Sequence, residues 1–293
     1  MGRRFEPDGA HMLTLAEIHK SGDYLTHEKL WIHSVKTLQV SYRNGYFLFD
    51  EGRWRGFDWT DIRNESLDGR SLIIGHCDND VSLEIATDIL RSARPSRIYA
   101  TNLSVEAAGL EESTDLPLGI PNDERQSKTH IIQADHTLLR KAWRKGIRPS
   151  QFADARLYAN FSIRNNAKVR GPALEAVAKL PETVLGSFVL SKRGRLADLL
   201  AMRKCGMVMC PRGAGMDTHR FWECLLVGAI PVVLEKDHSA RLAKQWKLPS
   251  IVVESWSDLK DKESVENQWN SIHDTVWDMS PLTSRYWIEK IFR

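Results

Sequence analysis

The sequence predicts an α/β protein made of two halves, each a layer of parallel strands with helices packed on it. Three observations predict it. Between residues 71 and 254, short apolar runs alternate with stretches of helical spacing, which is the signature of βαβ units. The alternation is interrupted near its middle, where Pro149 and Ser150 mark a boundary. The stretch Val208–Leu234 then reads as strand, glycine loop, helix, tight turn and strand. A chain of 293 residues is long enough for two ordinary domains.

The elements follow in order. Met1 to Met12, ending Gly-Ala-His-Met, reads as an expression-vector leader and is set aside. After an amphipathic start at Leu13, Thr37–Tyr42 and Tyr46–Asp50 flank Arg43-Asn-Gly45, a hairpin signal. Ser71–Gly75 is an apolar run suited to a buried strand. Leu83–Arg94 has helical spacing and Ser96–Thr101 reads as a strand. The acidic, proline-rich segment Glu111–Gln126 reads as a loop, and Trp143–Pro149 as an interdomain link. The second half continues with strand Ala155–Ile163, helix Pro172–Lys179, strand Ser187–Leu190 and helix Leu196–Lys204. Beyond Leu234 come strand Ser250–Glu254, a capped helix opening at Trp256, and two helical pieces between Trp269 and Arg293 broken at Pro281. The resulting division is 13–150, 151–270 and a C-terminal helical segment 271–293, which suits a return onto the first half.

Composition excludes several classes. Charged residues are 27%, hydrophobic ones 42%, and the net charge is only +3 with basic residues scattered, so nucleic acid is not an expected partner. No apolar run approaches the roughly 20 residues that span a bilayer, and no secretory signal is visible. A cytoplasmic location is therefore expected. Cys77, Cys205, Cys210 and Cys224 form neither a disulfide framework nor a zinc pattern, and buried free thiols are the expectation.

The chemistry concentrates in the loop after Val208. Gly213 and Gly215 allow a sharp turn and close backbone approach, Asp217 is placed as N-cap of a helix from Thr218 to Val227, and Gly228 stops it. A helix N-terminus after such a loop suits a phosphate, and Arg212 and Arg220 can each bind a diphosphate in bidentate fashion. Glu223, one turn past Arg220, either takes ribose hydroxyls or pairs with Arg220. Arg170 is a third cation, either a phosphate clamp or a solvated charge. His76, Asp78 and Asp80 follow the strand Ser71–Gly75, where open α/β sheets bind ligands. They are either base candidates, Asp78 first, or ordinary turn residues. Asp78-Asn79-Asp80 also fits a DxD metal motif, a short and frequent pattern, and the arginines already supply charge without a metal. His219 and His238 flank the same helix, with packing and ligand contact both open. Trp54, Trp59, Trp222 and Trp256 offer aromatic faces for a sugar or, more ordinarily, core.

The run Cys210-Pro-Arg-Gly-x-Gly-x-Asp-x-x-Arg-x-x-Glu-x-x-x-x-Gly-x-Ile-Pro-Val232 resembles the donor-site signature of exostosin-like glycosyltransferases. Leu72–Asp78, Ala100–Asn102, Leu116–Asn122 and Leu157–Asn166 are similar to that family as well, especially to its small soluble members from chloroviruses. The resemblance covers roughly residues 70–293. It implies a GT-B glycosyltransferase, two Rossmann-like domains facing across a cleft. Donor contacts would come from Arg170, Arg212, Gly213, Gly215, Asp217, Thr218, Arg220 and Glu223, with His76 and Asn102 on the acceptor side. It further implies a UDP-sugar donor, UDP-xylose in the narrowest reading, and a glycan acceptor, with inversion at the anomeric carbon and no required metal or other cofactor. Two alternatives stand beside it: a non-catalytic glycan- or nucleotide-binding protein of the same fold, and a metal-dependent GT-A-like transferase using Asp78-Asn79-Asp80.

Overall fold

The computed structural model describes residues 12–31, 36–41, 45–50, 53–57, 66–75, 80–121, 132–187 and 189–292. It is an α/β structure with two sheets. The first has strands β1 (Lys36–Ser41), β2 (Gly45–Asp50), β3 (Arg53–Phe57), β4 (Ser71–Gly75), β5 (Arg97–Ala100) and β6 (Ser113–Asp115), ordered β3-β2-β1-β4-β5-β6. Strands β1, β4, β5 and β6 run parallel, while β2 and β3 extend the edge as an antiparallel meander. The second sheet, β7 (Arg156–Ala159), β8 (Thr183–Leu185), β9 (Gly206–Met209), β10 (Ile230–Leu234) and β11 (Ile251–Val253), is wholly parallel in the order β8-β7-β9-β10-β11.

Strands β4, β9 and β10 are buried on both faces, which is why each is continuously apolar rather than alternating. In β4, Leu72 and Ile74 pack into one core and Ile73 into the core on the opposite face. In β9, Val208 faces one way and Met207 and Met209 the other. Helices α3 (Leu83–Ser92) and α4 (Val105–Ala108) cover one face of the first sheet, with N-caps Ser82 and Ser104 each accepting an amide of the first turn. In the second half, α6 (Ala167–Ala178) and α10 (Lys262–His273) cover one face, and α7 (Lys192–Cys205), α8 (His219–Leu226) and α9 (His238–Gln245) the other.

The halves exchange helices. Helix α1 (Leu15–Ser21) and α5 (His136–Lys145) bury Ile18, Leu138, Leu139 and Ala142 in the core under α7 and α8. The final helix α11 (Ser284–Phe292) instead buries Trp287 and Ile291 against Leu25, Leu30, Ile73, Tyr99 and Leu116 of the first half. Leu30 belongs to the short helix α2 (His27–Trp31). Leu25 N–H donates to the Leu282 carbonyl at 2.8 Å, tying this return in place.

Several elements differ from expectation. The segment read as a loop from Glu111 contains β6, whose Ser-Thr-Asp sequence is too polar and too short to signal a strand; it forms because β5 offers a parallel edge. The strand expected at Ser187–Leu190 is β8 at Thr183–Leu185. Helix α6 begins at Ala167, five residues before Pro172, because the Asn166 side chain caps it; Pro172 lies inside the helix, and Arg170 lies in that first stretch rather than in a loop. The link read from Trp143 starts later, since α5 runs to Lys145. Helix α8 has Thr218, not Asp217, as its N-cap, and its stop is Gly228 at φ +75°, a left-handed conformation that glycine adopts without strain. Among the described residues no helix is long and apolar enough to cross a membrane.

Candidate functional site

The order of the second sheet creates a site before any side chain is considered. Numbered along the chain its strands run 2-1-3-4-5, so the order reverses between β7 and β9. Connections leave to opposite faces there, opening a crevice beyond the carboxyl ends of those two strands. Asn160 follows β7 and Cys210–Gly215 follows β9 at that point. Asn160, Ser187, Val189, Gly194, Arg195 and Asp198 line a shallow opening beside it.

Four charged groups from α7 and α8 form its floor, Arg195 and Glu223 buried and Asp198 and Arg220 partly so. Arg195 donates to both carboxylate oxygens of Glu223 and to Asp198 at 3.2 Å. Asp198 also accepts from Arg220 at 2.9 Å, Asn160 at 2.8 Å and the Tyr158 hydroxyl at 2.8 Å. Burial alone would raise the Asp198 pKa, but Arg220 and Arg195 outweigh it and hold the carboxyl below its ordinary value. Arg220 is likewise held above the usual arginine range, its burial being overcome by Asp198 and Glu223. Glu223 therefore pairs with Arg195 from a neighbouring helix, neither of the partners weighed from sequence. Arg195 and Asp198 were not singled out from sequence. Their spacing of three within a helix was the available signal, but such pairs are common on solvated faces.

Two further arginines have no carboxylate hydrogen-bonded to them among the described residues. Arg170 donates to the carbonyls of Ser162 at 3.0 Å, Arg212 at 3.0 Å and Pro211 at 3.3 Å, and burial followed by the nearby Arg220 lowers its pKa to about 10. It grips the glycine loop by its backbone. A Cβ at position 213 would lie 3.1 Å from the Arg170 Nη2, so glycine is what lets loop and guanidinium approach. Asn166 adds a bond to the Gly213 carbonyl at 2.9 Å. Arg212 has a buried Nε without a partner among the described residues. The amides of residues 213–216 likewise have no hydrogen-bond partner among them. An anion in this crevice would meet two guanidinium groups to which no carboxylate is hydrogen-bonded among the described residues and a run of amides, the combination that binds phosphate.

The last residues of the loop serve another purpose. Asp217 is 4% exposed and accepts from Leu118 N–H at 2.9 Å, Trp222 Nε1 at 2.9 Å and Thr218 N–H at 2.6 Å. Its own N–H donates to Asn102 Oδ1 at 2.8 Å. Asn102, with φ +57°, follows β5 and Leu118 follows β6, so Asp217 and Asn102 join the carboxyl ends of the two sheets. His219 Nδ1–H donates to the Gly119 carbonyl at 2.8 Å in the same seam. Thr218 is buried and its side chain caps nothing. Trp222 and Trp256 are core residues; the side chains of Trp54 and Trp59 lie outside the described residues. Cys205, Cys210 and Cys224 are buried free thiols.

Burial pushes the Asp217 carboxyl up to about 7 against its N–H donors. The folded chain then holds this proton more tightly than the unfolded one. The associated stability is full below the unfolded value near 4 and is lost as pH rises through about 7. Urea unfolding at pH 5, 6, 7 and 8 is expected to show the stability gap between the native chain and Asp217→Asn narrowing with rising pH. A gap that widens would place the carboxylate, not the acid, in the folded seam.

His76, Cys77, Asp78 and Asn79 lie outside the described residues, and Asp80 is exposed. Among the described residues no group of three or more His, Cys, Asp or Glu side chains is gathered as a metal ion would need. Fold and site together define a doubly wound α/β protein with an arginine-rich crevice at its switch point. No protein-family model matches the chain, and no curated protein matches it either.

Proposed function

We propose that this chain is an inverting, nucleotide-sugar-dependent glycosyltransferase of the GT-B kind, with the donor diphosphate in the crevice between β7 and β9. The observation that carries the reading is the loop Pro211–Met216. It joins unpartnered amides and the Arg212 Nε to an Arg170 anchor, at the point where a parallel sheet binds ligands. The motif likeness to exostosin-like enzymes supports the same assignment and extends it to a UDP-sugar, UDP-xylose in its narrowest form, with β-transfer to a fucose of a viral glycan in the host cytoplasm.

In this reading Arg212 stabilises charge that builds on the diphosphate as the anomeric C–O bond breaks, while Arg220, expected from sequence to share that clamp, is held by Asp198 and acts only through its field. The acceptor hydroxyl attacks from the opposite face and gives its proton to a base of the first half, Asp78 in this assignment, with Asp80 and His76 as its neighbours. The fixed cations take the place a bridging metal would fill, so no metal is required.

Isothermal titration against UDP-, GDP- and CMP-sugars tests the class, with binding of at least one expected. Arg212→Ala is expected to weaken that binding by about 1.5–3 kcal/mol, the loss of a charge-assisted hydrogen bond, with an unchanged melting temperature because Arg212 holds no carboxylate. Equal affinity in the variant would move the diphosphate away from this loop.

A further inference from the structure

Next to the glycine loop, at the carboxyl end of β10, lies a second polar group that the phosphate reading leaves unused. Asp115 ends β6 of the first sheet, while Asp237 and His238 open α9 of the second, so the group sits where the halves meet. Arg241 Nη2 turns its two N–H groups to three acceptors that share them, Asp115 at 2.9 Å, the Leu103 carbonyl at 2.6 Å and His238 Nδ1 at 2.8 Å. A guanidinium can only donate. His238 Nδ1 is therefore an acceptor, and the neutral ring carries its proton on Nε2. That N–H is buried and finds no acceptor among the described residues; the nearest carboxylate oxygen, on Asp115, is 3.8 Å away, too far for a hydrogen bond.

It is not the only orphan. Asp237 Oδ2 is a buried acceptor without a donor, and Arg241 Nε and Nη1 and Arg212 Nε are buried donors without acceptors among the described residues. The His238 side chain is only 2% exposed and Asp237 as a residue 7%. Buried polar groups are nearly always satisfied, so several orphans in one place call for a ligand or solvent that completes them. Charge narrows the choice. Arg241 is bonded to Asp115 and the charge of Arg212 acts on Asp237, so each of these cations meets one carboxyl group and little positive excess is left to attract an anion. A neutral group that both donates and accepts fits: a hydroxyl donates a hydrogen bond to Asp237 Oδ2 and accepts one from His238 or Arg241.

We infer that Asp237, His238 and Arg241 form the subsite that reads the ring hydroxyls of the donor sugar. This rests on the nucleotide-sugar reading of the adjacent loop, and Arg212, whose charge acts on both Asp237 and His238, stands between the two as the phosphate stands beside the sugar.

The test compares UDP with UDP-xylose and UDP-glucose by isothermal titration, using the native chain, Asp237→Asn and His238→Gln. Both variants are expected to bind UDP within about twofold of the native chain. At least one of the two UDP-sugars should bind about 10- to 100-fold more weakly, the loss expected for a hydrogen bond to a buried charged or polar group. Should one variant fail to fold, the other gives the same comparison. UDP-sugar affinities that are unchanged, or that fall in step with UDP, overturn the subsite while leaving the phosphate loop standing. A native chain that binds neither UDP nor a UDP-sugar overturns the donor reading and the subsite together.

Discussion

Arg195→Ala is expected to lower the unfolding free energy by about 3–5 kcal/mol, the cost of removing one partner from a buried ion pair. Arg195 is 7% exposed and holds both oxygens of Glu223 as well as Asp198. Its loss strands Glu223, itself 4% exposed, with no other hydrogen-bond donor among the described residues. Asp198 would keep Arg220, Asn160 and Tyr158, so the penalty falls mainly on Glu223. The double variant Arg195→Met, Glu223→Leu should recover much of the loss, because replacing both charges removes the uncompensated one. Equilibrium urea unfolding of the single and double variants measures both. A single-variant loss below about 1 kcal/mol would mean that water reaches this floor and that the quartet is not a buried network.

Asp78→Asn is expected to reduce turnover by about 10²–10⁴, the usual contribution of general-base catalysis, with donor affinity nearly unchanged. The substitution keeps shape and hydrogen bonding and removes only the proton acceptor. Asp78 lies three residues beyond the carboxyl end of β4, in the half that contributes Asn102 and Leu118 to the seam with Asp217. Steady-state kinetics with titrated donor binding separates the two effects. Normal turnover in Asp78→Asn with loss in Asp80→Asn or His76→Ala would transfer the role to that neighbour. Normal turnover in all three would place the base elsewhere in the first half.

The parts of the site legible in the sequence were those whose constraint is local. Gly213 stands where a close approach favours glycine and Gly228 where a left-handed turn demands it, and Arg212 and Arg220 stand at fixed offsets from them. Strands β4, β9 and β10 were visible because burial on both faces makes a run apolar throughout. Strand β6 was not visible, since three polar residues become a strand only when β5 supplies the hydrogen bonds. The partners of each charge were hidden for the same reason. Glu223 and Arg220 are neighbours along one helix, and sequence spacing pairs them; the fold turns Glu223 to Arg195 and Arg220 to Asp198 on α7. Arg170 read as a phosphate clamp or a surface charge, yet its three bonds go to carbonyls of loops that only the packing of α6 brings within reach.

By itself, then, the order of residues determined two parallel α/β layers and a glycine loop between strand and helix with arginines around it, because periodicity, turns and caps act over a few positions. Tertiary structure alone decided the rest. It selected Asp217 and Asn102 as the join between the sheets, gathered Asp115, His238 and Arg241 across the seam, and left Arg212 without a carboxylate hydrogen-bonded to it among the described residues. Which charge meets which is a matter of distance in three dimensions. Coulomb and hydrogen-bond energies fall off within a few ångströms, and residues 126 positions apart, such as Asp115 and Arg241, become partners only once two layers have packed.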